Sequence, residues 1–474
     1  MGVDYAVDEF EVDDYPYRSV NRIVETALYP PMGPADGPEL SRQRGDSNSI
    51  VFRVVRLRIL VDANDRSIVG FVMVSHAMVH IYELSVPILL TVWLAEFSTT
   101  AAILGTAAAV GYGLFGVGAL PGGLLVDRFG SRRLIVACLV GMSVSFLALS
   151  IAPTVAGITV ALALWGLAAS VYHPAGLTLI SNGVDDRGRA FAYHGMAGNT
   201  GIAGGPLLAA MLLLTFEWRL VAVILAVPAA LAALVGLVVS FDPTAAVDVA
   251  DSERTRRSPA SLAEFGTETR RLFTVGFLLV FCIVAFNGLY YRGVLTFLPE
   301  LLGDFLTATV GDIGLGFIDP GSPVAAKFDP ARYLYAGLLT VGIGGQYLGG
   351  RLTDRIEPDR GLTVMLGVLT TIALVFVPLV QTGVGGLVAG SFVLGVALFA
   401  IQPLSQATIA KYSVPESRGL SFGYTYLAIF GIGALGAAIT GAILTYSSVP
   451  VMFLVLAGFS VTGLALGLTL LGRQ

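Results

Sequence analysis

The protein has 474 residues, of which 55% are hydrophobic and only 13% are charged, and its formal net charge is −5. Soluble proteins carry about 25% charged residues, so this composition excludes a soluble globular protein and predicts a polytopic membrane protein. The two cysteines, Cys138 and Cys282, lie in apolar runs. That placement predicts buried free thiols and indicates neither a disulfide nor a metal cluster.

The first 65 residues contain four prolines within nine positions, from Pro30 to Pro38, and no long apolar run. Such a segment buries too little apolar surface to fold on its own, so we expect residues 1–65 to form a disordered cytoplasmic tail. The chain begins with acidic residues where a cleavable signal peptide needs a basic region. We therefore expect no such signal.

Twelve apolar segments follow, each near the length of about 20 residues that a bilayer requires. Their approximate spans are 68–94, 100–126, 134–152, 155–181, 189–214, 219–240, 272–302, 331–353, 362–380, 384–411, 419–445 and 449–471. Residues 241–270 are polar and form a cytoplasmic linker. The pattern predicts an all-α polytopic membrane protein with twelve transmembrane helices in two pseudo-symmetric six-helix bundles, residues 66–240 and 271–474.

The basic residues predict the orientation, because they fall mostly in alternate connections between spans. One side of the membrane receives Arg128, Arg132, Arg133, Arg187, Arg189, Arg254, Arg256, Arg257, Arg270, Arg271, Arg351, Arg355, Arg360, Lys411 and Arg418. The other side receives only Arg219, Lys327, Arg332 and, deeper in a span, Arg292. Positive-inside bias places the first side, with both termini and the linker, in the cytoplasm of a multi-pass cell-membrane protein.

Span 1 carries three ionisable residues, His76, His80 and Glu83, at positions i, i+4 and i+7. A helix places these positions on one face, and charged groups at membrane depth face the interior of a bundle and are commonly functional. Since imidazole titrates near pH 6.5, we hypothesise that Glu83 is the principal proton carrier, with His76 or His80 as its partner. The alternative is a buried hydrogen-bonded cluster without a transport role.

The two halves of the chain repeat three motifs in the same order. The matched segments are 122–128 with 349–355, 172–174 with 401–403, and 187–191 with 418–422. Internal duplication of six-span units places the binding site of several transporters at the midplane between the repeats. We therefore expect a central cavity that both halves line.

Polar residues in spans 4, 5 and 10 are candidates for that cavity. His173 precedes Pro174 in a predicted helical kink, and its repeat equivalent is Gln402. Proline frees a backbone carbonyl within a span, so a kink-stabilising hydrogen bond is the alternative for His173. Asn199 in span 5 is a hydrogen-bonding candidate, whereas His194, near the start of the same span, is expected to contact a loop.

Arg292 is the cation placed deepest in an apolar span, and it needs an anionic partner. Glu83, Glu300 and a negatively charged substrate are the three alternatives, and a planar guanidinium suits phosphonate, phosphate or carboxylate groups. Tyr291 and Asn287 lie beside it in the sequence. They would add an aromatic wall and a further hydrogen bond to a binding site.

A second group of residues is predicted to control the conformational change. Asp127, Arg128, Arg132, Asp354 and Arg355 lie at helix ends, where a carboxylate complements the positive N-terminus of a neighbouring helix and arginines pair across the halves. Small residues let helices approach closely. Tight packing that seals the cavity is one interpretation of the span 5 motif and ordinary helix packing is the other; its residues are Gly201, Gly205 and Pro206.

The loop between spans 2 and 3 reads G-x-x-x-D-R-x-G-x-R-R over residues 123–133 and resembles the signature of the major facilitator superfamily. The resemblance runs from about residue 66 to the end and implies the major facilitator fold. The YHPAG motif, the 187–206 segment and span 1 are similar to the fosmidomycin-resistance branch, which implies efflux. Gly201 to Pro206 resembles the antiporter motif of the superfamily. The arginine usual in span 4 of proton-coupled drug exporters has no counterpart around residues 164–169.

These observations predict a secondary active transporter, without catalytic residues, that exports a small molecule by proton-coupled alternating access. Anionic and antimicrobial molecules are the candidate substrates, and we expect a monomer in the lipid bilayer with no cofactor, metal or nucleic-acid partner. One alternative is an uptake carrier for an organic acid or inorganic anion. A remote alternative is a metal-dependent membrane enzyme, since imidazole and carboxylate suit zinc, and another is a receptor or scaffold derived from a transporter.

Overall fold

The computed structural model describes residues 62–247, 262–311, 322–413 and 418–473, and these residues form helices, turns and connections without a β-strand. The predicted tail lies outside the described residues except for its last four positions. The part of the predicted linker from 248 to 261 also lies outside them. The all-helical fold class is confirmed for the part of the chain that the structure describes.

The first half contains seven helices. They are α1 (Ala63–Glu96), α2 (Ala101–Phe129), α3 (Ser131–Ser150), α4 (Val155–Ser170), α5 (Tyr172–Gly183), α6 (Arg187–Leu213) and α7 (Trp218–Val238). Helices α4 and α5 together form the predicted span 4 and are separated only by Val171. The break lies three residues before Pro174, as expected where a proline ring cannot fit into a continuous helix.

The second half begins with the short helix α8 (Leu262–Leu272). The others are α9 (Val275–Val310), α10 (Pro323–Lys327), α11 (Pro330–Thr353), α12 (Pro358–Val380), α13 (Val384–Tyr412), α14 (Arg418–Tyr426), α15 (Leu435–Tyr446) and α16 (Val449–Leu471). A π-helical segment, Leu427–Ile432, joins α14 to α15 within the predicted span 11. Such π-helical insertions are frequent at functional sites.

Eleven of the described helical segments are long and apolar enough to cross a membrane by length and composition. They match eleven of the twelve predicted spans. The predicted span 8 is the helix α11, which is not among the eleven. Its sequence includes Arg332, Gln346 and Arg351. These residues make α11 more polar than the eleven other spans.

Side chains cap many of the helix ends, as the sequence composition at these ends favours. The Thr100 side chain accepts a hydrogen bond from the Ile103 amide at the start of α2, and Asp329 accepts one from the Ala331 amide at the start of α11. Capping residues satisfy amides that have no partner within the helix. The capped helices therefore begin at a defined residue.

Equivalent helices pack in equivalent pairs in the two halves. In the first half α1 packs on α6, α2 on α4, and α3 on α7; in the second half α9 packs on α15, α11 on α13, and α12 on α16. By span number, the pairs 1–5, 2–4 and 3–6 recur as 7–11, 8–10 and 9–12. This correspondence is the pseudo-symmetry that the repeated motifs predicted.

The two halves also meet through equivalent pairs. Helix α2 packs against α15 and the π-helical segment, α6 packs against α11, and α1 contacts α9. Glycine permits the closest approach: a Cβ atom on Gly116 would collide with the backbone of Phe430 and Gly431. The interface therefore consists of spans 1, 2 and 5 of one half against spans 7, 11 and 8 of the other.

Direct hydrogen bonds join the halves at the end opposite the Asp127 loop. The Lys327 Nζ atom lies 2.6 Å from Glu217 Oε1, and the Ala102 amide donates to Thr445 Oγ1 at 2.8 Å. These contacts connect the two bundles at this end of the molecule.

Candidate functional site

The ionisable stripe of α1 lies inside the protein. Glu83 is 1% exposed and His76 is 7% exposed, and the His80 side chain is 11% exposed. The helix α6 covers this face because its glycines allow close contact: a Cβ on Gly198 would meet the His76 ring. The i, i+4 and i+7 spacing thus forms one buried cluster between helices rather than a lipid-facing stripe.

A continuous hydrogen-bonded chain links these side chains, and we refer to it below as the Glu83–His194 chain. The His76 Nδ1 atom lies 2.7 Å from the His194 carbonyl oxygen. The Nε2 atoms of His76 and His80 lie 3.1 Å apart, and the His80 Nδ1 atom lies 2.6 Å from Glu83 Oε2. Four residues are therefore joined in series along α1 and into α6.

The second Glu83 oxygen connects this chain to the other half of the molecule. Glu83 Oε1 accepts a hydrogen bond from Arg292 Nη2, and each of the two side chains is only 2% exposed. The Arg292 guanidinium also lies 3.9 Å from the centre of the Tyr112 ring and 5.6 Å from that of Tyr291. Of the three partners expected for Arg292, the structure has Glu83.

The Glu83–Arg292 ion pair is buried, and burial determines the free-energy cost of breaking it. Removal of one partner from a buried pair costs about 3–5 kcal/mol because it leaves an uncompensated charge. The Arg292 Nε atom is buried without a hydrogen-bond partner among the described residues. The pair therefore connects α1 with α9 and is costly to break from one side only, and the Nε donor of Arg292 stays unused among the described residues.

The other two histidines join the same cluster. The His173 ring lies 5.3 Å from the His76 ring and 4.9 Å from the Tyr426 ring, measured between centroids. The His194 ring stacks on His76 with centroids 3.8 Å apart. The expectation that His194 contacts a loop is therefore wrong, because the close packing of α6 on α1 turns this residue into the buried cluster.

Three of the imidazoles satisfy a distance criterion for a metal site, since nitrogen atoms of His76, His80 and His173 lie within 4.8 Å of one another. His76 and His80 lie on α1 and His173 lies on α5, and the fold brings the three rings together. Two of these three nitrogens are already in direct contact with each other, at the Nε2–Nε2 distance given above.

A second polar chain crosses the interface between the halves. The Asn199 side-chain amide donates to Gln346 Oε1, and the Gln346 amide donates to Gln402 Oε1 at 3.0 Å. The candidates Asn199 and Gln402 are thereby joined through Gln346, and the three side chains are partly exposed. This amide chain places hydrogen-bonding groups from spans 5, 8 and 10 in one row.

The two neighbouring tyrosines of α9 point to different parts of the structure. Tyr291 lies beside Arg292, whereas the neighbouring Tyr290 hydroxyl donates to the Leu369 carbonyl oxygen at 3.2 Å, within its own bundle. Asn287 is buried with 8% exposure on the same helix. The pair of tyrosines thus supplies one wall of the site and one structural anchor.

The span 5 motif brings α6 against the ionisable helix. A Cβ on Gly205 would lie 2.7 Å from the Ile81 Cα atom, and one on Gly201 would collide with the Ala77 carbonyl. Pro206 is buried directly after Gly205. These residues hold α6 in the position from which the His194 carbonyl reaches His76.

The charged residues expected at helix ends lie on the surface. Asp127, Arg128, Asp354 and Arg355 are exposed at the ends of α2 and α11. Arg132 donates to the carbonyl oxygens that end α7, with Nε 2.8 Å from Gly236 O and Nη2 2.7 Å from Leu237 O. Arg132 therefore caps a helix of its own bundle.

Sequence reasoning missed several residues of the site. Tyr112 and Phe430 both lie against the Arg292 guanidinium, and Tyr426 lies against His173. Aromatic residues are common in apolar spans, so no signal separated these from ordinary core residues. Gln346 carried a signal, because a glutamine within an apolar span requires a polar partner.

Two bundles that face each other across a buried ionisable cluster define the class of secondary membrane transporters. Residues 67–382 and 281–474 match the family model of the Major Facilitator Superfamily. The chain belongs to this superfamily, so it is a multi-pass membrane protein and a transporter rather than an enzyme.

Curated relatives match parts of the chain. The inner membrane transport protein YdhP of Escherichia coli (strain K12) is 30% identical over an alignment of 176 residues, and the match covers 34% of this chain and 43% of YdhP. The puromycin resistance protein pur8 of Streptomyces alboniger is 34% identical over 125 residues, 26% of this chain and 25% of that protein. The chain thus matches less than half the length of these relatives.

Solved structures match nearly the whole fold. A bacterial homolog of the human lysosomal transporter Spinster, in an inward-facing and occupied conformation, has a TM-score of 0.66 at 16% identity and covers 86% of this chain and 97% of its own. The nucleoside transporter NupG has a TM-score of 0.67 at 14% identity, with 85% and 99% covered. At these identities the likeness shows the fold alone.

Proposed function

We propose that this protein exports a small molecule across the cell membrane in exchange for protons, by alternating access of its two bundles. The observation that carries the proposal is the buried ion pair between Glu83 and Arg292, which joins the halves and continues into the chain of histidines. An ionisable chain that ends on an inter-bundle contact couples protonation to the separation of the bundles.

The proposed coupling works through competition for one carboxylate. Glu83 is shared by Arg292 from the second half and by His80 from the first. A proton on the Glu83–His194 chain places a second positive charge near this carboxylate and weakens its attraction for Arg292. Loss of the proton strengthens the attraction and draws α1 and α9 together.

The substrate is proposed to bind between the bundles, beside this ion pair. The residues that we assign to it are His173, Asn199, Asn287, Tyr291, Arg292 and Gln402. Aromatic faces and a few placed polar groups are the usual lining of small-molecule sites, and the amide chain supplies both donors and acceptors. The name of the relative YdhP, an inner membrane transport protein, supports transport. The name of pur8, a puromycin resistance protein, supports export and an antimicrobial substrate.

The conformational change is assigned to the helix ends and to the contact of α1 with α6. We propose that Asp127, Arg128, Arg132, Asp354 and Arg355 stabilise one closed state. With the charge bias placing the Asp127 end in the cytoplasm, the hydrogen-bonded end of the interface is the outer one. Gly201, Gly205 and Pro206 keep the cavity sealed between α1 and α6.

A second candidate function, uptake of an organic acid or inorganic anion, is favoured by the position of Arg292. If a proton displaces Arg292 from Glu83, the buried guanidinium needs a new anionic partner. An anion would then bind together with the proton and move in the same direction. The sign of the coupling therefore separates the two functions: an exported substrate competes with the proton, and an anion taken up requires it.

Reconstituted vesicles with an imposed pH gradient test both functions with a panel of anions and antimicrobials. Export by exchange predicts that substrate moves against the direction of proton flow, and anion uptake predicts movement with it. The Glu83→Gln protein is the control, and we expect it to lose movement driven by the gradient. Transport that ignores the gradient in the wild-type protein would contradict proton coupling altogether.

A further inference from the structure

We infer that the Glu83–His194 chain carries one extra proton in this conformation. Two neutral imidazoles and an ionised carboxylate would hold two protons, whereas the contacts of the chain need three. The count follows from which atoms of the chain donate and which accept. Its consequence, one proton moved in each cycle, rests on the proposed function, whereas the count itself does not.

The first end of the chain fixes one proton. The His194 carbonyl oxygen accepts hydrogen bonds and has no hydrogen to donate. The His76 Nδ1 atom lies 2.7 Å from it, so this nitrogen carries a hydrogen. A neutral imidazole has one protonated nitrogen, and His76 in its neutral form therefore presents a bare lone pair at Nε2.

The second end fixes another proton. An ionised carboxylate is an acceptor only, and Glu83 Oε1 already accepts from Arg292. The 2.6 Å contact between Glu83 Oε2 and His80 Nδ1 then requires a hydrogen on that nitrogen. His80 in its neutral form consequently also presents a bare lone pair at Nε2.

The middle contact cannot form between two lone pairs. The Nε2 atoms of His76 and His80 lie 3.1 Å apart, which is a hydrogen-bond distance, and both rings are largely buried. Unscreened lone pairs at this distance repel each other, particularly where the local dielectric is low. A third proton between the two nitrogens turns the repulsion into an N–H···N hydrogen bond.

The count holds wherever the extra proton rests. Three contacts need three hydrogens, and the neutral rings with the ionised carboxylate supply two. If the proton moves to Glu83, the carboxylic acid donates to His80 Nδ1, and His80 donates from Nε2 to His76. Both arrangements contain the same number of protons, so the extra proton shifts between Glu83 and the His76–His80 contact without changing the total.

The third hydrogen belongs to His76 and His80, because the neighbouring groups do not reach the contact between them. Helix α5 contributes His173 and Tyr172, whose rings lie 5.3 Å from the His76 ring, and α9 contributes Arg292 through Glu83. Helix α6 contributes the stacked His194 ring. None of these four groups supplies the hydrogen between the two Nε2 atoms in the contacts described.

His194 acts as a positioning residue through its backbone. Its carbonyl oxygen, not its ring, fixes the His76 tautomer, and the stacked ring holds the His76 plane. A phenylalanine at position 194 keeps both features. A phenylalanine at position 76 keeps the stacking but removes both nitrogens from the chain, which gives a matched pair of variants.

The test counts protons on the full-length protein in lipid bilayers, without substrate or gradient. Nitrogen-15 NMR of labelled histidine counts protonated ring nitrogens and detects coupling across an N–H···N bond, and the infrared carboxylic-acid band reports protonated Glu83. With the signals of each histidine assigned, we expect a total of three protons on His76, His80 and Glu83 at neutral pH, and coupling between the Nε2 atoms of His76 and His80. At high pH the total falls to two and the coupling disappears.

The variants and the metal content complete the test. His194→Phe retains the extra proton and the coupling, whereas His76→Phe loses both; should His76→Phe not fold, the wild-type total decides alone. A total of two at neutral pH overturns the inference, as does stoichiometric zinc in place of the Nε2–Nε2 coupling. Since no transport is measured, a vesicle assay that shows no proton coupling leaves this count standing.

Discussion

At the scale of single residues, Glu83 is the point at which the two halves of the molecule and the histidines meet. One oxygen contacts Arg292 of the second half, and the other contacts His80 of its own helix. The carboxylate is 1% exposed, so solvent does not replace either partner when it is lost. Changes at this position therefore alter stability and coupling together, and a paired substitution is needed to separate them.

We expect Glu83→Gln to abolish gradient-driven transport and to lower stability by about 3–5 kcal/mol, because it leaves the Arg292 charge buried and unpaired. Combining it with Arg292→Met removes the unpaired charge, and a double-mutant cycle isolates the pair. The double variant should regain most of the thermal stability without regaining coupling. Recovery of coupled transport in the double variant would show that the pair does not carry the proton response.

Gln346 gives a second prediction at this scale, because it joins Asn199 to Gln402. A leucine at this position removes the partner of both amides, and because these side chains are partly exposed, each lost hydrogen bond costs only about 0.5–1.5 kcal/mol. We expect Gln346→Leu to raise the KM of transport several-fold while turnover stays within a factor of about three, which corresponds to less than 0.7 kcal/mol. A loss confined to turnover would instead assign the amide chain to the conformational change.

At the scale of helices, the contact of α1 with α6 sets the geometry of the candidate site. Glycines on α6 admit the α1 backbone and place the His194 carbonyl beside His76. The break between α4 and α5 similarly turns His173 toward the histidines of α1. Local irregularities in helices, rather than loops, therefore bring the polar side chains together.

Two glycines three residues apart test this contact. An added Cβ at Gly201 collides with the Ala77 backbone, whereas Gly204 has open space around it. Overpacking costs about 1–3 kcal/mol, so we expect Gly201→Ala to lower the unfolding temperature and impair transport. Gly204→Ala should leave both unchanged or slightly improved, since alanine favours the helix. Equal effects of the two substitutions would contradict a specific role of close packing at Gly201.

At the scale of the whole molecule, the interface between the halves follows the pseudo-symmetry. Spans 2 and 11 pack together as do spans 8 and 5, and spans 1 and 7 meet at the Glu83–Arg292 pair. Because this pair joins equivalent helices of the two bundles, the proposed rocking of one bundle against the other would change the distance between Glu83 and Arg292. The same arrangement places the two Asp-Arg motifs in equivalent positions at one end of the molecule.

Asp127 and its repeat equivalent Asp354 are expected to affect the rocking motion rather than binding. We predict that Asp127→Asn lowers turnover by a larger factor than it changes KM, because the aspartate lies at the end of α2, away from the central cluster. Asp354→Asn should act in the same way if the repeat is functional. Kinetics in vesicles measure both parameters, and an effect on KM alone would place Asp127 in the substrate site.

Much of the candidate site was predictable because its residues are exceptions within apolar spans. His76, His80, Glu83 and Arg292 were identified from the cost of placing ionisable groups at membrane depth, and the Glu83–Arg292 contact was one of three alternatives. Tyr112 and Phe430 were not identified, since an aromatic residue in a span is as consistent with core packing as with a site. The predicted loop contact of His194 was wrong, because the environment of this residue depends on how closely α6 approaches α1.

The sequence by itself determined the class of fold, since hydrophobic length and charge bias are local properties that the bilayer imposes on a spanning chain, and the repeated motifs can be compared directly along the sequence. It also identified which polar residues must be buried. Only the tertiary structure decided their partners: Glu83 with Arg292 from the other half, and His76 with the His194 carbonyl from α6. Those contacts join residues more than one hundred positions apart, and helix packing rather than local pattern brings them within hydrogen-bond distance.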